Sequence, residues 1–141
     1  MTRPTAWFQH LANLLVAGTG IGWAWTIWFV EPEDPFAIVN HPWQPALQTW
    51  HIVTAPLLVF GLGLLWRNHV WARVRSGFKA RRPTGLILFA LAFPMIVSGY
   101  LLQVAVDETW RDAWMWTHLV TSSLWVVVYL IHQLSPRKKS A

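Results

Sequence analysis

The sequence predicts an all-α integral membrane protein, an up-and-down bundle of four helices with both termini on the cytoplasmic side. Three observations predict it. Only 12% of the 141 residues are charged, about half the usual share, too little polar surface to keep a chain of this size dissolved. Four uncharged runs match the roughly 20 helical residues that cross a hydrocarbon core of about 30 Å. The charges between those runs alternate in sign from one connection to the next.

The first run, Leu11–Val30, is preceded only by Arg3 and ends at Glu31 and Pro32. It is too long for the apolar part of a signal peptide and lacks a small-residue cleavage site, so it is expected to stay in the mature protein. The second, third and fourth runs are Ala46–Trp66, Thr84–Val106 and Ala113–Leu134. Residues 1–141 therefore read as a single membrane domain. Pro56 and Pro94 lie inside the second and third runs and are expected to bend them.

Direction follows from charge. Arg67, Arg73, Arg75, Lys79, Arg81 and Arg82 separate runs two and three, and Arg137, Lys138 and Lys139 follow run four. Glu31, Glu33 and Asp34 separate runs one and two, while Asp107, Glu108 and Asp112 precede run four beside the lone Arg111. Ten of the eleven basic residues thus fall on one side and all six acids on the other. The positive-inside rule makes the basic side cytoplasmic. This accounts for the net charge of +5 without nucleic acid as a partner. Of the 12 tryptophans, Trp7, Trp43, Trp50, Trp66, Trp71, Trp110 and Trp114 sit near run ends, where indoles favour the lipid headgroup layer. A multi-pass membrane protein is implied.

The chain has no cysteine, which excludes disulfides, thiolate zinc sites, Cys-ligated iron–sulfur clusters and haem attached through C-x-x-C-H. Any cofactor has to be held by His, Met or weaker ligands. Six histidines are present: His10, His41, His51, His69, His118 and His132. Ionisable groups inside a membrane are expensive, so those within spans are functional candidates. His118 and His132 are separated by about 40° around one helix and about 21 Å along it. One face thus carries two imidazoles at two depths, the requirement for two stacked haems whose other axial ligands come from facing helices.

By depth, His51 matches His118 on the outer side. On the inner side His132 can be matched by His10, at the start of the first run, or by His69. His69 follows His51 by a whole number of turns at about 100° per residue, but it lies beside Arg67 among the basic residues, and His10 is preferred. His41, in the loop before Pro42, reads as a solvated residue. Gly18, Gly20, Gly22, Gly61, Gly63 and Gly99 offer room for a flat macrocycle, although close helix packing uses the same residues.

These residues resemble the four-helix di-haem cytochromes b of bacterial inner membranes. That family includes the cytochrome b subunits of formate dehydrogenase and membrane-bound nickel–iron hydrogenase, and small stand-alone b-type cytochromes. The likeness spans nearly the whole chain. It is carried by the His118 to His132 spacing, by His51 to Pro56 running on to Trp66 and Arg67, and by Ser98, Gly99 and Tyr100. His10 stands where the family places its first-helix ligand, followed by Leu11 where many members have Trp. The resemblance implies an outer haem b on His51 and His118, and an inner haem b on His10 and His132.

Two axial imidazoles leave the iron no open position, so electron transfer is the implied role. The expected function is to pass electrons between a membrane quinone pool and a periplasmic dehydrogenase, hydrogenase or c-type cytochrome, as a subunit of a respiratory complex rather than an independent enzyme. The bundle would work in lipid alone or as a homodimer. Polar residues that could serve a quinone are His69, Arg67 and Asn13 on the inner side, and Gln103, Asp107 and Glu108 on the outer. Two other readings remain. One is a stand-alone cytochrome b that oxidises a small donor such as superoxide with ubiquinone as acceptor, for which the outer side offers only Arg111. The other is a haem-free membrane anchor whose histidines serve packing. The spans carry no Asp, Glu, Lys or Arg to couple ion transport.

Overall fold

The structure, a computed structural model, describes residues 2–76 and 81–135. Among these the chain is helical and forms no strand. Helix α1 runs Arg3–Trp28 and α2 Gln44–Leu65; a π-helical turn, Trp66–Trp71, leads into the short α3, Ala72–Arg75. Helix α4 is Arg82–Val104 and α5 Glu108–Leu134. The chain divides into two compact units, Met1–His69 and Val70–Ala141. Each holds one antiparallel hairpin, α1 against α2 and α4 against α5.

Helices α2, α4 and α5 are long and apolar enough to cross a membrane. Helix α1 has the length, but Asn13, Thr19, three glycines and four tryptophans dilute its apolar content. It begins well before the apolar run because Thr2 accepts the Thr5 amide and Pro4 occupies the first turn, where its missing N–H costs nothing. Both α2 and α4 run through their internal prolines as continuous helices. Side chains such as Leu14, Phe60, Phe93 and Val127 are exposed, as lipid-facing helix surfaces require. The basic residues Lys79, Arg137, Lys138 and Lys139 lie outside the described residues.

In the first hairpin the seam on α1 is Gln9, Ala12, Asn13 and Val16, facing Thr54, Leu58 and Gly61 of α2. Steps of three and four put each set on one helix face. Asn40 ties the connecting loop down, donating from Nδ2 to the Ile27 carbonyl at 2.9 Å while its own amide donates to Gln44 Oε1 at 3.1 Å. In the second hairpin residues 105–107 alone join the helices, a link short enough to force them antiparallel. Asp107 starts α5 as its cap, accepting the Trp110 amide at 3.0 Å, and Glu108 adds negative charge at the positive end of the helix dipole. Asp107→Ala is expected to destabilise the protein by about 1 kcal/mol in thermal unfolding in detergent, and Asp107→Asn by much less.

At the opposite end of this hairpin, Arg81 takes a left-handed conformation with φ 56°, uncommon for a residue with a side chain. It precedes α4, and its guanidinium donates to the Ser135 carbonyl at the end of α5. One residue thus joins the start of α4 to the close of α5.

Candidate functional site

Three of the histidines rest against the neighbouring helix of their own hairpin in one recurring way. His51 of α2 places Nδ1 3.0 Å from the Val16 carbonyl of α1. Its ring fills the space a side chain at Gly20 would occupy, since a Cβ there would come within 2.8 Å of Cε1. His118 of α5 places Nδ1 2.9 Å from the Met95 carbonyl of α4, over Gly99, where a Cβ would lie 2.9 Å from Cε1. In both cases the glycine is four residues after the carbonyl and a hydroxyl residue, Thr19 or Ser98, comes just before it.

A carbonyl oxygen can only accept, so the ring nitrogen facing it carries a proton. Thr19 and Ser98 hydroxyls stand 3.5 Å from the same nitrogens, too far to compete, and are committed elsewhere. Thr19 donates to the Leu15 carbonyl at 2.7 Å and Ser98 to that of Pro94 at 2.6 Å. For neutral imidazoles the lone pair of His51 and His118 then falls on Nε2. A backbone carbonyl on Nδ1–H is the support that metal-ligating histidines ordinarily have.

His132 repeats the pattern with one change. It lies over Gly85, whose Cβ would stand 3.5 Å from Cε1, and its Nδ1 is 2.8 Å from the Thr84 hydroxyl. Gly85 precedes Gly99 by the same 14 residues that separate His118 from His132, so antiparallel register makes the two sites on α5 equivalent. In the first hairpin the corresponding partner of the α1 start is Leu65, not a histidine.

The remaining histidines are held differently. His10 is half-buried on α1, its ring edge-on to Trp7 at 6.0 Å. The neighbouring Gln9 takes the seam, its side chain against Gly61 of α2, and His10 is turned about 100° from it. His69 lies in the π-helical turn. Counting whole α turns from His51 therefore fails beyond Leu65, because i→i+5 bonding winds the chain more slowly. Such turns are frequent at functional sites. His41 accepts the Trp43 amide at 3.1 Å within the loop.

Four of the six glycines serve helix packing, the second of the two uses read for them in the sequence. Gly20, Gly99 and Gly61 are filled by His51, His118 and Gln9, and Gly22 meets Leu47. Only Gly18 and Gly63 of that set have nothing within 4 Å. Of the polar residues read as quinone candidates, Asn13 is buried and donates to the Gln9 carbonyl at 2.8 Å, Gln103 donates to Gly99 at 3.1 Å, and Asp107 is the α5 cap. Arg67 is exposed in the π turn and Glu108 in the first turn of α5. Sequence reasoning missed Thr19, Thr84 and Gly85. The legible signal was a hydroxyl–glycine pair recurring at the antiparallel complement of each histidine.

Among the described residues no group of three or more His, Cys, Asp or Glu gathers to hold a bare metal ion. Haem with two imidazole ligands makes no such demand, since the porphyrin supplies the other donors. Comparison with family models, with curated proteins and with solved structures found no match.

Proposed function

We propose that the two hairpins associate in a bacterial inner membrane as one four-helix bundle with cytoplasmic termini, and that the bundle is a di-haem cytochrome b. It would carry electrons between a quinone pool and a periplasmic redox partner, as a subunit of a respiratory complex. The observation that carries this reading is the shared setting of His51, His118 and His132, each with Nδ1 against an acceptor of the adjacent helix at 3.0, 2.9 and 2.8 Å. Packing alone would be served by either ring nitrogen. Ligation through Nε2 needs the imidazole proton on Nδ1, the nitrogen that faces an acceptor in all three.

The residues fit the cofactor in donor chemistry. His51 and His118 would hold the outer haem, His132 and His10 the inner one, with His69 the alternative to His10. When bound, haem iron supplies a one-electron couple. The chain's part is to hold the imidazoles at fixed orientation, so that a change of charge meets little reorganisation, and to keep water out with an apolar sheath. Basic residues on one side and acids on the other fix the direction in which the two depths are ordered across the bilayer.

A second reading has support in the same contacts. Imidazole-to-carbonyl bonds between helices are also what a haem-free anchor would use to hold its hairpins together. The deciding experiment is a dithionite-reduced minus oxidised spectrum, with a pyridine haemochrome count, on the full chain purified in detergent. About two haems b per chain are expected. A folded preparation with no haem would establish the anchor instead.

A further inference from the structure

His132 differs from the other two oriented histidines in its acceptor. Its Nδ1 faces the Thr84 side chain rather than a backbone carbonyl, and a hydroxyl can donate as well as accept. What that hydroxyl does is settled by its other contact: Thr84 Oγ1 lies 3.0 Å from the Arg81 carbonyl, which can only accept. The single hydroxyl proton is therefore used, and what Thr84 turns toward His132 is a lone pair. Thr84 cannot rotate away cheaply, because in the first turn of α4 the Arg81 carbonyl that holds it also accepts the Gly85 amide at 3.1 Å. Arg81 in turn is joined by its side chain to Ser135, three residues beyond His132.

We infer that Thr84 is the positioning residue of His132: its hydroxyl, oriented by the Arg81 carbonyl, fixes the imidazole proton on Nδ1 and the coordinating lone pair on Nε2. It does through a side chain what Val16 and Met95 do through the backbone. His132 is thus the one member of the set whose ring support can be removed by substitution without touching the main chain. The assignment of the proton stands on the hydrogen-bond geometry alone. Its consequence for a metal rests on the cytochrome reading above.

The test uses full-length protein in detergent, labelled with 15N-histidine and prepared haem-free, with His132 assigned by its absence in His132→Gln. Wild type is expected to show the Nδ1–H form of His132. Thr84→Ser, which keeps the hydroxyl, is expected to preserve it. Thr84→Val, nearly the same shape without the hydroxyl, is expected to shift the balance toward Nε2–H by about fivefold, the size one hydrogen bond supplies. Two other results overturn the inference: the Nε2–H form in wild type, or Thr84→Val indistinguishable from wild type.

In haem-loaded protein the same substitution is read by redox titration. Losing the bond makes the imidazole less basic, which favours ferric iron less, so one of the two midpoint potentials rises and the other stays. The expected nitrogen shifts in a chain that never takes up haem would sink the cytochrome reading and leave Thr84 in its role. Two bound haems with Thr84→Val silent in both measurements would do the reverse.

Discussion

Replacing Gly99 by alanine is expected to leave the protein folded and to empty one of the two haem sites proposed for it. Two opposing effects decide the stability. Alanine in a helix interior is favoured over glycine by about 1 kcal/mol, and the displaced His118 ring forfeits one hydrogen bond of about the same net worth. The unfolding midpoint of the haem-free protein should therefore barely move, loss of bound haem being a separate, additional effect. The site is another matter, since the new Cβ would stand 2.9 Å from Cε1 and 3.1 Å from Nδ1 of His118, and the ring has to swing off the Met95 carbonyl. Loss of such support to a metal-binding histidine weakens the metal by roughly 10- to 100-fold. Gly20→Ala should act likewise through His51. Gly85→Ala is the control, because its Cβ would meet His132 only at 3.5 Å, an ordinary contact. The measurement is haem per chain after purification, set beside the thermal midpoint. Equal haem in all three variants would remove the glycines from the site.

Much of the fold was legible because the membrane imposes it. Uncharged runs cover the greater part of α2, α4 and α5, whose backbone must bond internally wherever lipid surrounds it. The ends were less legible: α1 begins at Arg3 on a Thr2 cap and a proline, features that govern helix starts and not membrane boundaries. The π turn at Trp66–Trp71 could not be read at all, since residue spacing presumes α geometry and a slip in bonding leaves no mark in composition. The cost fell on His69, whose face was counted through that turn.

The histidines stood out because imidazoles are scarce in spans, but their support did not. Hydroxyl residues inside helices usually bond back to their own carbonyls, as Thr19 and Ser98 do, and so look local. Only antiparallel register shows that each precedes a glycine lying under an imidazole. A glycine in sequence advertises space without naming what fills it. At Gly20 and Gly99 it is filled by the rings of His51 and His118.

His118→Ala and His132→Ala are each expected to halve the haem content, and the double variant to abolish it. Independence is the point. Along the continuous α5 helix the two residues are about 21 Å apart, too far for one to reach the other's partner, and each has its own acceptor and glycine on α4, Met95 and Gly99 for His118, Thr84 and Gly85 for His132. A ligand from another helix should reproduce the loss of the α5 residue it pairs with, and combining the two should remove nothing more. His51→Ala is thus expected to match His118→Ala in the reduced spectrum, with no further loss in the pair. His10→Ala and His69→Ala then separate the inner candidates, since only one of them should match His132→Ala and be silent on top of it. His10 is the expected match, because it stands at the start of the first apolar run, whereas His69 lies beside Arg67 among the basic residues and on a turn whose winding moves it off the face of His51. Loss of both haems from a single α5 substitution would mean that the two depths fold as one site, and the picture of two separate stations would fail.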